Sequence, residues 1–347
     1  MVGEARFEVV PCPELDDRAV AALAELLSTS SSERSEGDPP ISPEQLALDE
    51  RITPPWRRRT RALAWSLDGR LLATCLLEVE DRADNRRLAW IEASTAPDVR
   101  RRGLGTEVVV RLLPAALAEG RTLLMGGAPE GRPGAAFASA LGLAVGQREH
   151  SNRARTVEMP VEVLRTWVAA AATEAAGYSL EAVDGPFPEE LLAPYAALAL
   201  IMNDAPIDDL ELEDFRYTAD ELRSAQQAAE RRGAIRWTVV ARHDATDELV
   251  GLTELLIPRH DRWLAEQGDT GVAAAHRGHG LGRWLKATNA LRLLEEHPEV
   301  EAIQTWNAST NPHMLAINHA MGFRAETVQE LVQGDIAELL DRLGGAR

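Results

Sequence analysis

Two glycine-rich turns, each led by an arginine, carry the residues of this sequence that are best suited to bind a reactive ligand. One runs from Arg277 to Arg283 with the order Arg-Gly-His-Gly-Leu-Gly-Arg, and the other from Arg100 to Thr106 with the order Arg-Arg-Arg-Gly-Leu-Gly-Thr. Each stands between a predicted strand and a predicted helix. Glycine lets the backbone approach a ligand closely, and the first turn of a helix presents unpaired N–H groups to an anion. Both turns are therefore candidate sites for a phosphate or pyrophosphate group.

Two well-known phosphate-binding motifs do not match these turns. A dinucleotide fingerprint needs glycine at the position of Arg283, and a Walker A loop needs Gly-Lys-Ser or Gly-Lys-Thr after the turn. A plain strand-to-helix connection without a ligand remains an alternative for each turn, because glycine-rich turns are common.

Three asparagines follow the second turn at places where a ligand could be held. A helix is predicted over 281–296, and the strand after it ends at Asn307. The next helix begins at Asn311 and contains Asn318, which lies on the apolar, inward stripe of that helix. A buried amide without a partner costs about 1–3 kcal/mol, so a ligand amide or carbonyl is a suitable partner for Asn318. Helix capping is the alternative for Asn311, and closing a turn is the alternative for Asn307.

Taken together, these motifs resemble the GNAT (GCN5-related N-acetyltransferase) superfamily, and they do so twice. Its motif A turn, Gln/Arg-x-x-Gly-x-Gly/Ala, binds the pyrophosphate of coenzyme A, and its motif B is a strand, a short helix and Gly-Phe. Gly103 and Gly280 of the turns differ in number by 177 (280 − 103), and Gly142 and Gly322 of motif B differ by 180 (322 − 142). The resemblance implies an α/β (α+β) chain of two tandem GNAT acyl-CoA N-acyltransferase domains, each a mixed central sheet flanked by helices.

The two halves are predicted to differ in function. Residues 1–160 are expected to form a degenerate N-terminal GNAT domain, residues 161–177 a helical linker, and residues 178–347 a catalytic C-terminal GNAT domain. The first copy keeps the phosphate turn but lacks the amides expected to hold the pantetheine arm. At the motif B offset, the three asparagines of the second copy are replaced in the first by Gly127, Gly131 and Ala138.

The resemblance also implies acetyl-CoA as the cofactor and indicates which residues would bind it. The backbone N–H of Val272, at the end of the fourth strand of the second copy, would polarise the thioester carbonyl. The predicted coenzyme A contacts are Val272, Arg277, Gly278, His279, Gly280, Leu281, Gly282, Arg283, Asn307, Asn311 and Asn318. Weaker candidates in the first copy are Arg100, Gly103, Gly105 and Thr106.

Acetyl transfer to an amine further needs a base for the amine and a proton for the leaving thiolate. Glu266 and Asp269 are the candidate general bases, with Glu254 on the preceding strand a third choice. Exposed carboxylates without a catalytic function are the alternative. Many members of the family carry a proton-donating tyrosine four residues before Gly-Phe, but that position is Asn318 here. The sequence therefore leaves the general acid unidentified. The tyrosines of the chain are Tyr178, Tyr195 and Tyr217.

Composition limits the classes of protein and partner. A length of 347 residues with 45% hydrophobic content is enough for two cores. A net charge of −18 argues against a nucleic acid partner and favours a cationic one. The sequence has no Cys/His cluster with metal-ligand spacing and no apolar run of about 18 residues that could span a membrane. With two cysteines and no signal peptide, we expect a cytoplasmic monomer or homodimer without metal, nucleic acid or membrane partners.

These features predict an acetyl-CoA-dependent N-acetyltransferase that acts on a small amine by direct transfer in a ternary complex. Residues 202–214, with six carboxylates, are expected to attract that amine, although a solvated acidic loop is the alternative. The alternative function is a non-catalytic acyl-CoA-binding or regulatory protein on the same fold. Transfer of a larger acyl group stays open.

Overall fold

The computed structural model describes residues 5–32 and 38–344, which fold into two compact units. The first unit holds the described residues up to 149, together with 207–213 and the segment from 327 onward. The second unit holds 150–206 and 214–326. These compact units differ from the contiguous segments 1–160 and 178–347, whose limits as domains stay a prediction. The polar composition of residues 28–40 predicts a loop, but a helix continues to Ser32, and residues 33–37 lie outside the described residues.

The first unit is a mixed sheet with helices on both faces. Its strand order is β1-β2-β3-β4-β5-β12-β6, in which β4 and β5 are parallel and the pairs among β1 to β4 are antiparallel. The elements are β1 (Arg6–Pro11), α1 (Asp17–Ser32), α2 (Pro43–Arg51), β2 (Arg57–Trp65), β3 (Leu71–Glu80), β4 (Leu88–Thr95), α3 (Leu104–Val110), α4 (Leu113–Ala118), β5 (Leu123–Pro129), α5 (Pro133–Ala140), the residues 144–149 of β6 (Ala144–Arg155), the residues 327–335 of β12 (Arg324–Asp335) and α11 (Ile336–Gly344).

The second unit repeats this plan. Its strand order is β6-β11-β10-β9-β8-β7, with β10 and β11 parallel and the pairs among β7 to β10 antiparallel. The elements are the residues 150–155 of β6, α6 (Val161–Glu174), β7 (Tyr178–Asp184), α7 (Glu189–Ala199), α8 (Ala219–Arg232), β8 (Ile235–His243), β9 (Glu248–Ile257), β10 (Leu264–Val272), α9 (Leu281–Glu296), β11 (Ala302–Ala308), α10 (Pro312–Ala320) and the residues 324–326 of β12.

Separate hydrophobic clusters hold helices on the two faces of the second sheet. On one face α9 buries Leu285 and Leu293, and on the other α7 buries Leu192 and Tyr195. The spacing of these residues is that of amphipathic helices packed on a sheet. The site described below lies between these two layers, where β10 and β11 meet.

Local sequence signals explain several element ends. Ser42 caps α2, because its hydroxyl accepts the N–H of Gln45 at 3.1 Å. The sequence predicts one helix over 104–118, but the structure has two, α3 and α4, with Pro114 in the first turn of the second. The helix expected to act as a linker, α6, belongs to the second unit and packs against α9. Among the described residues, no helix is long and apolar enough to cross a membrane.

Candidate active site

The strand that precedes the second glycine turn contains a β-bulge. Two consecutive residues of β10, Gly268 and Asp269, face the single residue Glu254 of β9. The first unit lacks this feature, since Glu92 of β4 faces Leu76 of β3 in an unbroken register. A bulge adds a residue to one strand and redirects its side chains, and it is common beside active sites. The extra residue therefore gives Asp269 an orientation that Glu92 does not have.

Asp269 belongs to a group of charged side chains on the face of the sheet that α7 covers. Buried Tyr195 of α7 donates a hydrogen bond to Glu254, which also accepts one from Arg236 of β8. Enclosure by protein and then the charge of Glu254 raise the pKa of Asp269 to about 6. The Asp269 side chain is nevertheless exposed, so solvent and a ligand can reach it. A carboxylate with this pKa is suited to accept a proton near neutral pH.

Glu266, the other predicted base, lies before the bulge and is exposed. Its negative charge is one of the causes that raise the pKa of Asp269, so the two carboxylates are close in space. The sequence interpretation missed Tyr195 and Arg236 as partners of this group. Arg236 is noticeable in the sequence because it lies among apolar residues of β8. Its contact with Glu254 depends on the register between β8 and β9, which is a long-range property.

The backbone N–H of Val272 is positioned to donate to a ligand. The N–H of the next residue, Ala273, donates to Val250 O of β9 at 2.8 Å. Because N–H groups alternate sides along a strand, that of Val272 points to the other edge, toward β11. The pairing of β10 with β11 runs only from Leu264 to Glu266, so Val272 lies beyond it. A thioester carbonyl between the two strands could accept this hydrogen bond.

Both glycine turns adopt the same backbone conformation. Gly278 and Gly280 have φ of +88° and +70°, and Arg101 and Gly103 in the first unit have +63° and +85°. Gly280 and Gly103 are the N-caps of α9 and α3. This left-handed conformation favours glycine and is strained for Arg101. The geometry of the turn is thus common to both units and does not distinguish them.

The leading arginine of each turn holds the turn itself. Arg277 Nε donates to Val272 O at 3.0 Å, and its Nη2 donates to Asp204 Oδ2 at 2.8 Å. Arg100 Nε donates to Thr95 O at 3.1 Å in the same way. These bonds fix the turn to the end of the preceding strand. Contact of either arginine with coenzyme A stays a prediction.

A carboxylate from α6 lies against the start of α9. Glu174 Oε2 accepts a hydrogen bond from Arg283 Nη2 at 2.8 Å. The same oxygen is 2.8 Å from the point where a Cβ on Gly280 would stand. Because the helix N-terminus attracts anions, Glu174 competes there with a bound phosphate. Both side chains are about half exposed, so they can move apart.

The remaining turn residues take different positions. The ring of His279 packs on Tyr178 with centroids 5.3 Å apart, and Leu281 is buried. Gly282 allows α9 to approach Ile317, whose Cδ1 is 3.7 Å from the Cβ position. In the first unit, Gly105 lies close to Thr95 and Thr106 continues α3.

Two of the three predicted asparagines are brought together. Asn318 is fully buried and its Nδ2 donates to Asn307 Oδ1 at 2.7 Å. Asn152 of β6, which the sequence interpretation missed, donates to the same oxygen at 3.4 Å. Within the described chain, Oδ1 of Asn318 and of Asn152 are buried without a partner. Asn311 caps α10 by accepting the N–H of Met314 at 3.2 Å, as the capping alternative predicts.

The acidic segment 202–214 is divided between the units. Residues 207–213 belong to the first unit, where Glu211 pairs with Arg87 at 3.0 Å and Glu213 accepts from the N–H of Asn85 at 3.1 Å. Asp204 belongs to the second unit and pairs with Arg277. Attraction of an amine by this segment stays a prediction.

Comparison with known proteins agrees with the repeat. The profile of the Acetyltransferase (GNAT) family matches residues 23–142 and again 203–323, which include both glycine turns. A tandem GNAT protein from the clavulanic acid biosynthesis pathway, solved without AcCoA, is similar at 26% identity over 95% of this chain and 99% of that chain, with a TM-score of 0.75.

Two more distant structures share the fold alone. A GCN5-related N-acetyltransferase from Sphaerobacter thermophilus is 14% identical over 95% of this chain and 96% of that chain, with a TM-score of 0.66. A glucosamine N-acetyltransferase region of a fungal multi-domain β-N-acetylglucosaminidase is 13% identical over 95% of this chain and 38% of that chain, with a TM-score of 0.65. No protein with a curated description matches the chain significantly.

Proposed function

Because the chain belongs to the GNAT family of acetyltransferases, we propose that it transfers an acetyl group from acetyl-CoA to a small amine in its second unit. The observation that supports this proposal best is the bulge of β10, which sets Asp269 on the same strand end as Val272, whose N–H points away from β9. The first unit has the glycine turn but neither the bulge nor the asparagines. We therefore propose that the first unit is not catalytic.

The residues of the second unit fit acetyl-CoA. The turn around Gly278 and Gly280 offers backbone N–H groups to the pyrophosphate, and the unpaired Oδ1 of Asn318 is an acceptor for a pantetheine amide. Bound acetyl-CoA supplies an activated thioester. Val272 then donates its N–H to the thioester oxygen, where negative charge develops during transfer.

Direct transfer requires that the amine reach the thioester as a free base. Asp269 takes the proton of the incoming ammonium, and Glu254 and Glu266 on the same face add negative charge beside it. Tyr195 and Arg236 hold Glu254 in place through their hydrogen bonds. A ternary complex then lets the amine attack without a covalent enzyme intermediate. The proposed acceptor class is therefore a small amine that is cationic in solution.

Calorimetric titration with acetyl-CoA tests the cofactor assignment. We expect one site per chain in the wild type, lost in Gly280→Asp, because aspartate at a φ of +70° strains the turn and repels the pyrophosphate. Gly103→Asp, at a φ of +85°, is the matched control in the first unit and should leave binding unchanged. Two sites would show that the first unit also binds the cofactor. An absence of binding would refute the proposal.

A screen of amines with detection of the released thiol tests the transfer itself. Thiol release that depends on one class of amine and is lost in Gly280→Asp supports the acetyltransferase. Binding of acetyl-CoA without thiol release from any amine would favour the alternative, an acyl-CoA-binding or regulatory protein.

A further inference from the structure

Lys286 of α9 is the only lysine of the chain and is almost completely buried. It accounts for one of the 37 lysine and arginine residues and is 1% exposed. Its Nζ lies 5.5 Å from the centroid of the Phe323 ring. Burial lowers its pKa to about 7 and is the only cause of the shift, so no charged group in the described part of the chain acts on it appreciably.

The elements around Lys286 bury further polar side chains, which with Lys286 are here called the polar layer. They are Asn289 of α9, Asn318 of α10, and Thr253 and Gln267 of β9 and β10, the strands on which α9 packs. Gln267 Nε2 donates to Thr253 Oγ1 at 3.1 Å. Phe323, whose ring lies against Lys286, belongs to an apolar cluster that also contains Leu164 of α6. The side chains of the layer other than Lys286 are all uncharged amides or hydroxyls.

The first unit shows that the fold does not require this layer. Positions of the two units correspond by the turn offset of 177 in the helix after the turn, by the motif B offset of 180 in the helix of motif B, and by register in the strands. The corresponding residues of the first unit are all buried and apolar, namely Val109, Leu112, Ala138, Ile91 and Cys75. Burying a lysine and several amides is costly compared with that apolar core. The buried polar side chains of the second unit are therefore better explained by a function than by the requirements of the fold.

The layer has unpaired atoms that would hold water. Within the described residues, both amide atoms of Asn289 and Oδ1 of Asn318 are buried without a partner. Leaving such atoms unpaired costs about 1–3 kcal/mol each, and buried water commonly satisfies them. The layer is therefore expected to contain ordered water between Lys286 and the asparagines.

The same layer reaches the proposed site of transfer. Gly282 lies one helical turn before Lys286 on the same stripe of α9, and its Cβ position is 4.0 Å from Val272 Cγ2. Asn318 continues the layer to Asn307 at the end of β11. The leaving thiolate, which must be protonated, would thus form beside this layer.

We propose that Lys286 supplies the proton to the departing coenzyme A thiolate, through water held by Asn289 and Asn318. This inference rests on the proposed acetyl transfer. When the carbon–sulfur bond breaks, its electron pair remains on sulfur, and sulfur takes a proton from the adjacent water. That water is reprotonated by the Lys286 ammonium, which becomes a neutral amine and regains its proton from solvent before the next turnover.

The single lysine allows a direct spectroscopic test that does not depend on activity. Protein labelled with carbon-13 at lysine Cε gives one signal, whose shift is followed against pH with the sulfonic acid derivative of coenzyme A and with the desulfo analogue bound. We expect the midpoint to be higher by about one pH unit with the sulfonic acid, because a fixed negative charge at the position of the sulfur stabilises the ammonium. Equal midpoints in the two complexes would overturn the inference while leaving the proposed function intact. Failure of both compounds to bind would instead count against the proposed function.

Kinetics of Lys286→Met supply a second test, with Leu285→Met as the matched packing control. We expect kcat of Lys286→Met to be about 100-fold lower than that of the wild type. The wild-type kcat should decline at high pH, where Lys286 has lost its proton, and this decline should be absent in the variant. The affinity for acetyl-CoA and the rise of kcat at low pH should not change. A decrease of kcat that keeps the high-pH decline would show that Lys286 has only a structural function.

Discussion

Asp269 and Glu92 occupy corresponding places in the two units but have different surroundings. The bulge brings Asp269 close to Glu254 and Glu266, and burial with these charges raises its pKa to about 6. Glu92 lies on an unbroken strand without a bulge. The one residue inserted by the bulge thus distinguishes Asp269, which is suited to act as a base, from Glu92, which is not.

Replacement of Asp269 by asparagine should lower kcat/KM by about 100-fold or more, because the amide cannot take the proton of the amine. In the wild type, kcat/KM should rise with pH through about 6, since the folded-state pKa is raised and the base acts only when deprotonated. Measurement of kcat/KM between low and neutral pH should show this limb in the wild type and not in Asp269→Asn. Glu92→Gln is the control, and it should behave like the wild type. An unchanged limb in Asp269→Asn would assign the base elsewhere.

Glu174 gives a second prediction that concerns a single side chain. Because its carboxylate lies against the start of α9, Glu174→Gln should tighten acetyl-CoA binding by about 2- to 5-fold, the size of one charge at a helix terminus. Titration calorimetry at low salt measures this difference. Glu162→Gln, at an exposed position of the same helix, should have no effect. Weaker binding of Glu174→Gln would mean that Glu174 supports the turn through Arg283.

At the scale of elements, α9 and α3 begin with the same turn but have different interiors. The α9 helix buries Lys286 and Asn289 where α3 and the residues after it bury Val109 and Leu112. Lys286 should lower the free energy of unfolding of the second unit, because water stabilises its ammonium in the unfolded chain and the core does not.

The pH dependence of stability follows from this difference. The pKa of Lys286 falls from 10.5 in the unfolded chain to about 7 in the folded protein, so between these values the unfolded state binds more protons. Stability therefore rises with pH across this window, and the full cost, up to about 5 kcal/mol, applies below pH 7. Lys286→Met should raise the free energy of unfolding of the second unit at pH 7, and by less at pH values near 10. Urea unfolding at both pH values measures this, and an equal gain at both would contradict the assigned pKa.

Several elements could be predicted from the sequence because their signals are local. The two glycine turns, α9 and the cap of α10 at Asn311 occur where composition and spacing place them. The bulge of β10 was not predicted, since the offset between turns does not show where a strand gains a residue. The partners of Asp269 and the position of Asn152 also depend on strand register, which no local pattern fixes.

At the scale of the whole molecule, the repeat predicted from the spacing of the two turns and of the two motif B glycines is confirmed by two matches to one family. The exchange of segments between the compact units was not predicted. Residues 329–335 of β12 pair with β5 of the first unit, although they follow motif B of the second copy. Such pairing joins residues about 200 positions apart and leaves no mark in sequence spacing.

The net charge of −18 leads to a prediction for the complete protein. A cationic amine should be drawn toward the molecule, and salt should screen this attraction. We therefore expect kcat/KM for a cationic acceptor to fall several-fold between about 0.05 M and 0.5 M salt. An aromatic amine that is uncharged at the assay pH is the matched acceptor, and its kcat/KM should change little beyond any effect on acetyl-CoA, which both reactions share. Equal salt dependence for the two acceptors would mean that the overall charge does not guide the acceptor to the site. Recognition of the amine would then depend on Asp269, Glu254 and Glu266 alone.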